Sequence, residues 1–217
     1  EELTGYYASA VKIFNQSHRV TIRDNLVIDH PHSNGVWYDV GNRDGVIVNN
    51  RVEGASDCFF FEISRGATVA GNVFVRCDKG ARVLNSADVH LYNNTFVDAP
   101  AAFERNERSK TRDHFGWHPA TGPDVDEREG HVFVNNLLVA GAAFTRPLLR
   151  FEQPAALCET LTRPMANEVN GNVYVRARPD GAGAEPPLIV ISPFANESCL
   201  ATFTSLAALR EALPAFE

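Results

Sequence analysis

The chain has 217 residues, of which 44% are hydrophobic and 22% are charged, and its formal net charge is −7 at pH 7. This balance is normal for a globular protein with a packed core. The acidic charge argues against nucleic acid or an anionic membrane as the main partner. No apolar run approaches the roughly 18 residues of a membrane span, and no signal-peptide pattern stands at the start. The chain contains 22 Val and 17 Asn, which predicts many short strands joined by tight corners.

An asparagine recurs along the chain at spacings of 25, 22, 22, 42 and 36 residues. These anchors are Asn25, Asn50, Asn72, Asn94, Asn136 and Asn172. A large apolar residue stands three positions before and two positions after every anchor. Inside/outside alternation that ends at an Asn is typical of a strand followed by a turn. A repeat of this length predicts a solenoid.

Two solenoid architectures have repeats of this length. A leucine-rich repeat requires Leu eight residues before the anchor, where this chain has Ser17, Asn42, Ser64, Ser86 and Arg128. The clear repeats instead hold a second apolar run, at Val36–Val40, Phe59–Ile63 and Ala81–Asn85. We therefore predict an all-β fold, a right-handed parallel β-helix solenoid. Its coils would stack about 4.8 Å apart, with the Asn amides forming a ladder at one corner.

We expect one β-helix domain over residues 1–217. The first repeat begins almost at Glu1 with no capping element before it, so we expect a fragment of a longer solenoid that lacks its N-terminal cap. Uncapped ends favour association, so the sequence allows an oligomer. Ser205–Leu213, followed by Pro214, predicts a short C-terminal helix with a Ser N-cap. Residues 99–130 are polar and predict an inserted loop, a place where function often lies.

The four cysteines, Cys58, Cys77, Cys158 and Cys199, lack the C-x-x-C spacing of a zinc site. Their pattern leaves two alternatives open. One is a single disulfide in an oxidising compartment, and the other is four buried thiols.

Strand alternation turns Trp37 and Asp39 outward on one coil, and Phe60 and Glu62 outward on the next. The two acidic side chains should therefore lie side by side. Carboxyl groups about 5 to 5.5 Å apart suit a retaining glycosidase. One carboxylate attacks the sugar, while the other, with a raised pKa, protonates the leaving oxygen and later activates water. The two aromatic rings would form apolar walls against a sugar.

Two other interpretations of this pair stay open. One is a solvated acidic ladder, and the other is a Ca²⁺ site on the same carboxylates. Apart from that Ca²⁺ alternative, we expect no cofactor and assign no metal ligand.

The segments Gly35–Asn42, Phe60–Gly66 and Tyr92–Phe96 resemble bacterial right-handed β-helix proteins of the pectin-lyase-like superfamily. More narrowly, a Trp-x-Asp strand followed one coil later by Phe-x-Glu resembles the β-xylosidases of glycoside hydrolase family 120. The resemblance covers about residues 10–98. It implies Asp39 as nucleophile, Glu62 as acid/base, and an oligo- or polysaccharide as substrate.

Four further residues are substrate-binding candidates: Arg82, which falls outward near Glu62, and His114, Trp117 and His118 in the inserted loop. A charge-balancing role for Arg82 and simple exposure for the loop residues are the alternatives. His30, before the Asp39 strand, is a weaker candidate. Arg150 and Glu152 alternate outward on a later coil, where an ordinary surface ion pair is favoured.

These observations together predict a secreted or periplasmic bacterial carbohydrate-active enzyme, a retaining glycoside hydrolase. A polysaccharide lyase or epimerase on the same fold is one alternative, and a non-catalytic glycan-binding module is another. Lyases of this fold often use a lysine base. The three lysines here, Lys12, Lys79 and Lys110, are not expected beside an acidic cluster on the predicted face.

Overall fold

The computed structural model describes residues 8–107, 127–177, 185–214 and 216. Within them, the strands form three sheets; each coil between residues 9 and 176 contributes one strand to each sheet, and the last two strands both belong to the first sheet. Sheet A contains β1 (Ser9–Phe14), β4 (Asn34–Asp39), β7 (Asp57–Glu62), β10 (Lys79–Leu84), β13 (Ala101–Glu104), β16 (Leu149–Glu152), β19 (Ile189–Ile191) and β20 (Ala201–Phe203). Sheet B contains β2 (Thr21–Arg23), β5 (Arg43–Val48), β8 (Arg65–Ala70), β11 (Ala87–Tyr92), β14 (His131–Val134) and β17 (Ala166–Asn170). Sheet C contains β3 (Leu26–His30), β6 (Arg51–Ala55), β9 (Val73–Val75), β12 (Thr95–Val97), β15 (Leu137–Ala140) and β18 (Val173–Arg176).

Neighbouring strands in each sheet are parallel except at the end of sheet A, where β19 pairs with β20 in the antiparallel sense. This confirms the predicted right-handed parallel β-helix. Inward side chains of the three sheets form one continuous core, to which Tyr38, Phe59 and Phe61 belong. None of the helices among the described residues is both long enough and apolar enough to span a membrane.

The six asparagine anchors form the predicted ladder. The side-chain NH₂ group of each of the first five anchors donates to the Oδ1 atom of the anchor on the next coil, at 2.9 to 3.1 Å, and that of Asn172 donates to the Phe133 carbonyl at 2.8 Å. The same Oδ1 atoms accept the backbone N–H of the preceding anchor. Asn72, for example, also donates to the carbonyl of Ile47 at 2.9 Å and is 1% exposed. The ladder therefore satisfies a column of buried polar groups and fixes the register of the coils.

A second polar column lies at the positions where a leucine-rich repeat would have Leu. Asn42 Oδ1 accepts the Ser17 N–H, Ser64 Oγ accepts the Asn42 N–H, and Ser86 Oγ accepts the Ser64 N–H. These side chains also donate back to the strand ends of sheet A: Asn42 to Asp39 O, Ser64 to Glu62 O, and Ser86 to Leu84 O. The column therefore holds the backbone at three successive strand ends.

The predicted strands of sheet A were one residue too long at their C-terminal ends. They end at Asp39, Glu62 and Leu84. The next residues, Val40 and Ile63, have φ of 51° and 45°, in the left-handed region that β-branched residues rarely adopt. The turn therefore begins directly after each acidic residue.

The predicted inserted loop starts too early at residue 99, because Ala101–Glu104 forms β13 of sheet A. Residues 108–126 of that segment lie outside the described part of the chain. The C-terminal helix is confirmed as α1 (Leu206–Ala212), and Ser205 Oγ accepts the Ala208 N–H at 3.2 Å as the predicted N-cap. Leu209 joins the core from this helix.

The cysteines form two disulfides, Cys58–Cys77 and Cys158–Cys199, so neither of the two predicted alternatives was right. They close loops with sequence separations of 19 and 41 residues. In the chain-entropy model, loops of this size each stabilise a fold by roughly 3 to 4 kcal/mol. Disulfides persist in oxidising compartments, which fits an extracytoplasmic protein.

The ladder predicts a graded effect of removing single anchors. Asn72→Ala should lower the free energy of unfolding by about 2 to 4 kcal/mol, because buried partners on both neighbouring coils lose their hydrogen bonds. Asn25→Ala, at the exposed end of the ladder, should cost about 1 kcal/mol or less. Urea unfolding followed by circular dichroism measures both, and equal losses would contradict a role for ladder burial.

A buried histidine predicts acid sensitivity. Burial lowers the pKa of His131 to about 3, and its Nδ1 accepts the Val89 N–H at 3.3 Å. The unfolded chain binds a proton near pH 6.5 that the folded chain does not, so stability is lost as pH falls below 6.5. This group alone should remove about 2 to 3 kcal/mol between pH 6.5 and 4.5. His131→Gln should flatten the pH dependence of unfolding in that window, and an unchanged slope would contradict the assignment.

Candidate functional site

The sheet A outer face, the side of sheet A that points away from the core, carries two parallel rows of side chains. The first row runs through Lys12, Trp37, Phe60, Arg82, Ala102 and Arg150. The second row runs through Phe14, Asp39, Glu62, Leu84, Glu104 and Glu152. Asp39 therefore pairs in register with Glu62, and Trp37 with Phe60, as the alternation predicted. Paired strands place their Cα atoms about 4.8 Å apart.

The two aromatic rings of the first row are covered. Trp37 and Phe60 stack with their centroids 5.1 Å apart, and both are 0% exposed. Lys12 Nζ lies 3.8 Å from the Trp37 ring, and the Arg82 guanidinium lies 4.7 Å from the Phe60 ring. A sugar that approached these rings would meet the two cations first. The rings therefore support the site from beneath.

Both carboxyl groups are buried, Asp39 at 6% exposure and Glu62 at 2%. Lys12 Nζ lies 2.9 Å from Asp39 Oδ2. The expectation that no lysine stands beside the acidic residues was therefore wrong, since β1 places Lys12 one strand before Asp39 in the same sheet. Its ammonium offsets the repulsion between two neighbouring carboxylates.

Arg82 lies on the predicted face and forms ion pairs with Glu104 of the second row and with Asp57 on β7. It reaches Glu104 at 2.8 Å and Asp57 at 3.3 Å. Burial raises the pKa of Asp57, and the charges of Lys79 and Arg82 partly oppose that shift. Lys79 lies 3.8 Å from Glu104, so a second lysine also stands beside acidic residues. Sequence reasoning did not single out Asp57 or Glu104. The sequence signal for them was opposite charges at the 22-residue repeat spacing, Asp57 with Lys79 and Arg82 with Glu104.

A cavity of about 390 Å³ opens next to the acidic pair. It begins at Arg82 and Leu84, the register partners of Phe60 and Glu62, and continues along the same face. Its remaining lining residues are Glu104, Arg105, Asn106, Glu152, Gln153, Pro154 and Leu200. Its volume lies within the usual range for small-ligand sites.

The remaining candidate residues of the sequence analysis lie in different places. Arg150 and Glu152 form the expected ion pair. His30 ends β3 in sheet C, away from the sheet A outer face. His114, Trp117 and His118 lie outside the described residues, and their substrate-binding roles stay predictions.

Comparison with known proteins gives one family. A family model described as "Periplasmic copper-binding protein (NosD)" matches residues 6–115, about half of the chain. No curated protein and no solved structure matches the chain significantly. The comparisons therefore support the parallel β-helix and a periplasmic family, and they give no support to the link with family 120 β-xylosidases. The two disulfides agree with an extracytoplasmic location.

The Lys12–Asp39 pair predicts a measurable coupling. Lys12→Met should destabilise the fold by about 1 to 3 kcal/mol, because Asp39 would then lie buried beside Glu62 without its ammonium. In an Asp39→Asn background, the same change should cost less. Urea unfolding of the four proteins of this double-mutant cycle measures the coupling, and additive losses would contradict the compensation.

Proposed function

The chain belongs to the NosD family, whose description is periplasmic. From the residues on the sheet A outer face, we propose that this member is a periplasmic carbohydrate-active protein. Its reaction is hydrolysis of a glycosidic bond with retention of configuration, on the sheet A outer face. The observation that carries the proposal is the register of Asp39 with Glu62 on β4 and β7, next to an open cavity. Neighbouring strands place the Cα atoms of Asp39 and Glu62 about 4.8 Å apart, which supports a carboxyl separation near the 5 to 5.5 Å that this chemistry requires.

The roles follow from the surroundings of each carboxyl group. Asp39, the ion-pair partner of Lys12, supplies the carboxylate that attacks the anomeric carbon and forms a glycosyl-enzyme bond. Glu62 protonates the leaving oxygen and then takes a proton from the water that releases the sugar. The side chains of Asn42 and Ser64 hold the backbone carbonyls of these two residues. The left-handed residues Val40 and Ile63 follow them directly, and such strained backbone often occurs at functional sites.

One observation favours a second candidate, a polysaccharide lyase. Lys12 stands beside Asp39 on the same face, where a lyase of this fold would have its lysine base. A lyase breaks the chain by elimination and gives an unsaturated product that absorbs in the ultraviolet. Product analysis therefore separates the two reactions.

Copper binding, which the family description names, finds no matching donor set in the described part of the chain. Copper prefers thiolate, thioether and imidazole ligands. All four cysteines are in disulfides, and the only methionine, Met165, is buried in the core. No three His, Cys, Asp or Glu side chains among the described residues are grouped to hold a metal ion. We therefore derive no step of the reaction through copper.

The hydrolase proposal is tested with a panel of 4-nitrophenyl glycosides of neutral sugars and of uronic acids. Asp39→Asn should lower kcat by at least about 1,000-fold, because the nucleophile is lost. Azide should restore turnover to Asp39→Gly and give a glycosyl azide, since a small anion can take the place of the missing carboxylate.

Glu53→Gln serves as the matched control, because Glu53 pairs with Arg51 and Arg76 on sheet C, outside the site. It should retain wild-type kcat. Wild-type turnover by Asp39→Asn, or no release of nitrophenol from any glycoside by the wild-type protein, would contradict the proposal. In a parallel assay on polyuronates, ultraviolet absorbance of an unsaturated product would replace hydrolase with lyase.

A further inference from the structure

The cavity next to the acidic pair has a chemical character that restricts its ligand. From it, we propose that the protein binds neutral oligosaccharides, and that the cavity is the subsite for the sugar unit next to the one at Asp39 and Glu62. This inference rests on the proposed function for the position of the reacting bond. The selection of a neutral ligand depends on the cavity residues alone.

The position of the cavity requires a ligand longer than one sugar. Leu84 lies in register with Glu62, Glu104 lies one strand further, and Glu152 one strand beyond that. At about 4.8 Å per strand, Glu104 is roughly 10 Å from Glu62 along the solenoid axis and Glu152 is roughly 14 Å from it. A ligand that reaches from the acidic pair into the cavity must therefore extend along the axis, as an oligosaccharide does.

The charges of the cavity are balanced within the chain. Arg82 pairs with Glu104 at 2.8 Å and with Asp57 at 3.3 Å. Arg105 lies 3.6 Å from Glu129 and donates to Gln153 Oε1 at 3.0 Å. A sugar carboxylate that bound to either arginine would have to compete with carboxylates already fixed there, at a cost in desolvation.

The acceptors of the cavity favour hydroxyl donors. Glu104 and Glu152 each have a carboxylate, and a carboxylate can accept about four hydrogen bonds. Arg82 and Lys79 at Glu104, and Arg150 at Glu152, use only part of that capacity. Sugar hydroxyls can donate to the remaining positions, whereas an ionised uronic acid group is an acceptor and would be repelled. Pro154 and Leu200 add apolar surface against which the C–H face of a sugar can pack.

The experiment is calorimetric titration of the Asp39→Asn protein, which keeps the cavity and avoids turnover, with two matched ligand classes. Neutral xylo-, cello- and malto-oligosaccharides form one class, and oligogalacturonates of equal length form the other. At least one neutral series should bind at least about 10-fold more tightly than the oligogalacturonates. Glu104→Gln, added to this background, should raise oligogalacturonate affinity by about 10-fold, because it removes a carboxylate partner of Arg82.

Glu53→Gln in the same background is the control, since it removes a carboxylate from an arginine pair on sheet C, and it should change neither affinity. Oligogalacturonate binding as tight as neutral binding, or binding of neither class by protein that circular dichroism shows to be folded, would overturn the inference. The result is separable from the proposed function. Suppose that neutral oligosaccharides bind, that Glu104→Gln raises the affinity for oligogalacturonates, and that the wild-type protein hydrolyses no glycoside. This result would support the neutral binding site and reject the hydrolase. Hydrolysis confined to uronic acid substrates would do the reverse.

Discussion

The asparagine ladder is the constraint on which the rest of the structure depends. Its side chains bond from coil to coil within a buried column, so a slip of any coil by one residue would leave amide groups unsatisfied at a cost of roughly 1 to 3 kcal/mol each. Because the register is fixed at this corner, the side chains of sheets A, B and C fall into straight rows. The placement of Asp39 beside Glu62 is therefore a consequence of hydrogen bonds made on a different edge of the solenoid.

The same register that places two carboxylates together also places cationic side chains beside acidic ones. Lys12 lies one strand before Asp39, and its ammonium meets Asp39 at 2.9 Å. Arg82 lies one strand after Phe60 and meets Asp57 and Glu104. Each coil adds one residue to each row, so a pair of like charges can be tolerated where the next coil supplies the opposite sign. This explains how an outward face of the solenoid can bury Asp39 and Glu62 without the repulsion that two isolated carboxylates would have.

The sequence was sufficient for the parts of the fold that repeat. Anchors with apolar residues at fixed distances predict the strands, the coil and the direction of the side chains, and the structure confirms these except at the C-terminal ends of the sheet A strands. It was insufficient where the repeat is interrupted or the partner comes from another coil. The strand β13 starts seven residues after Asn94, as β7 and β10 start seven residues after Asn50 and Asn72, but it opens the polar segment 99–130 and was therefore predicted as loop. Lys12 stands 27 residues before Asp39, and only the paired strands bring the two together. The sequence shows polar residues at Asn42, Ser64 and Ser86, and their spacing excluded a leucine-rich repeat. It did not indicate that their side chains would hold the carbonyls at the strand ends.

The polar column connects the scaffold to the proposed chemistry. The side chains of Asn42 and Ser64 hold the carbonyls of Asp39 and Glu62, at the points where the backbone turns into the left-handed region. Both β-branched residues in those turns, Val40 and Ile63, are buried. The apolar packing of their side chains therefore offsets the strain of their left-handed backbone, directly after the two acidic residues. A carboxylate at the end of a strand that is fixed on both sides loses little further freedom when it meets a ligand, and such pre-organisation is what a site for bond cleavage needs. The paired charges along the face leave little net field, so selection of a ligand there depends on the geometry of hydrogen bonds rather than on attraction at a distance.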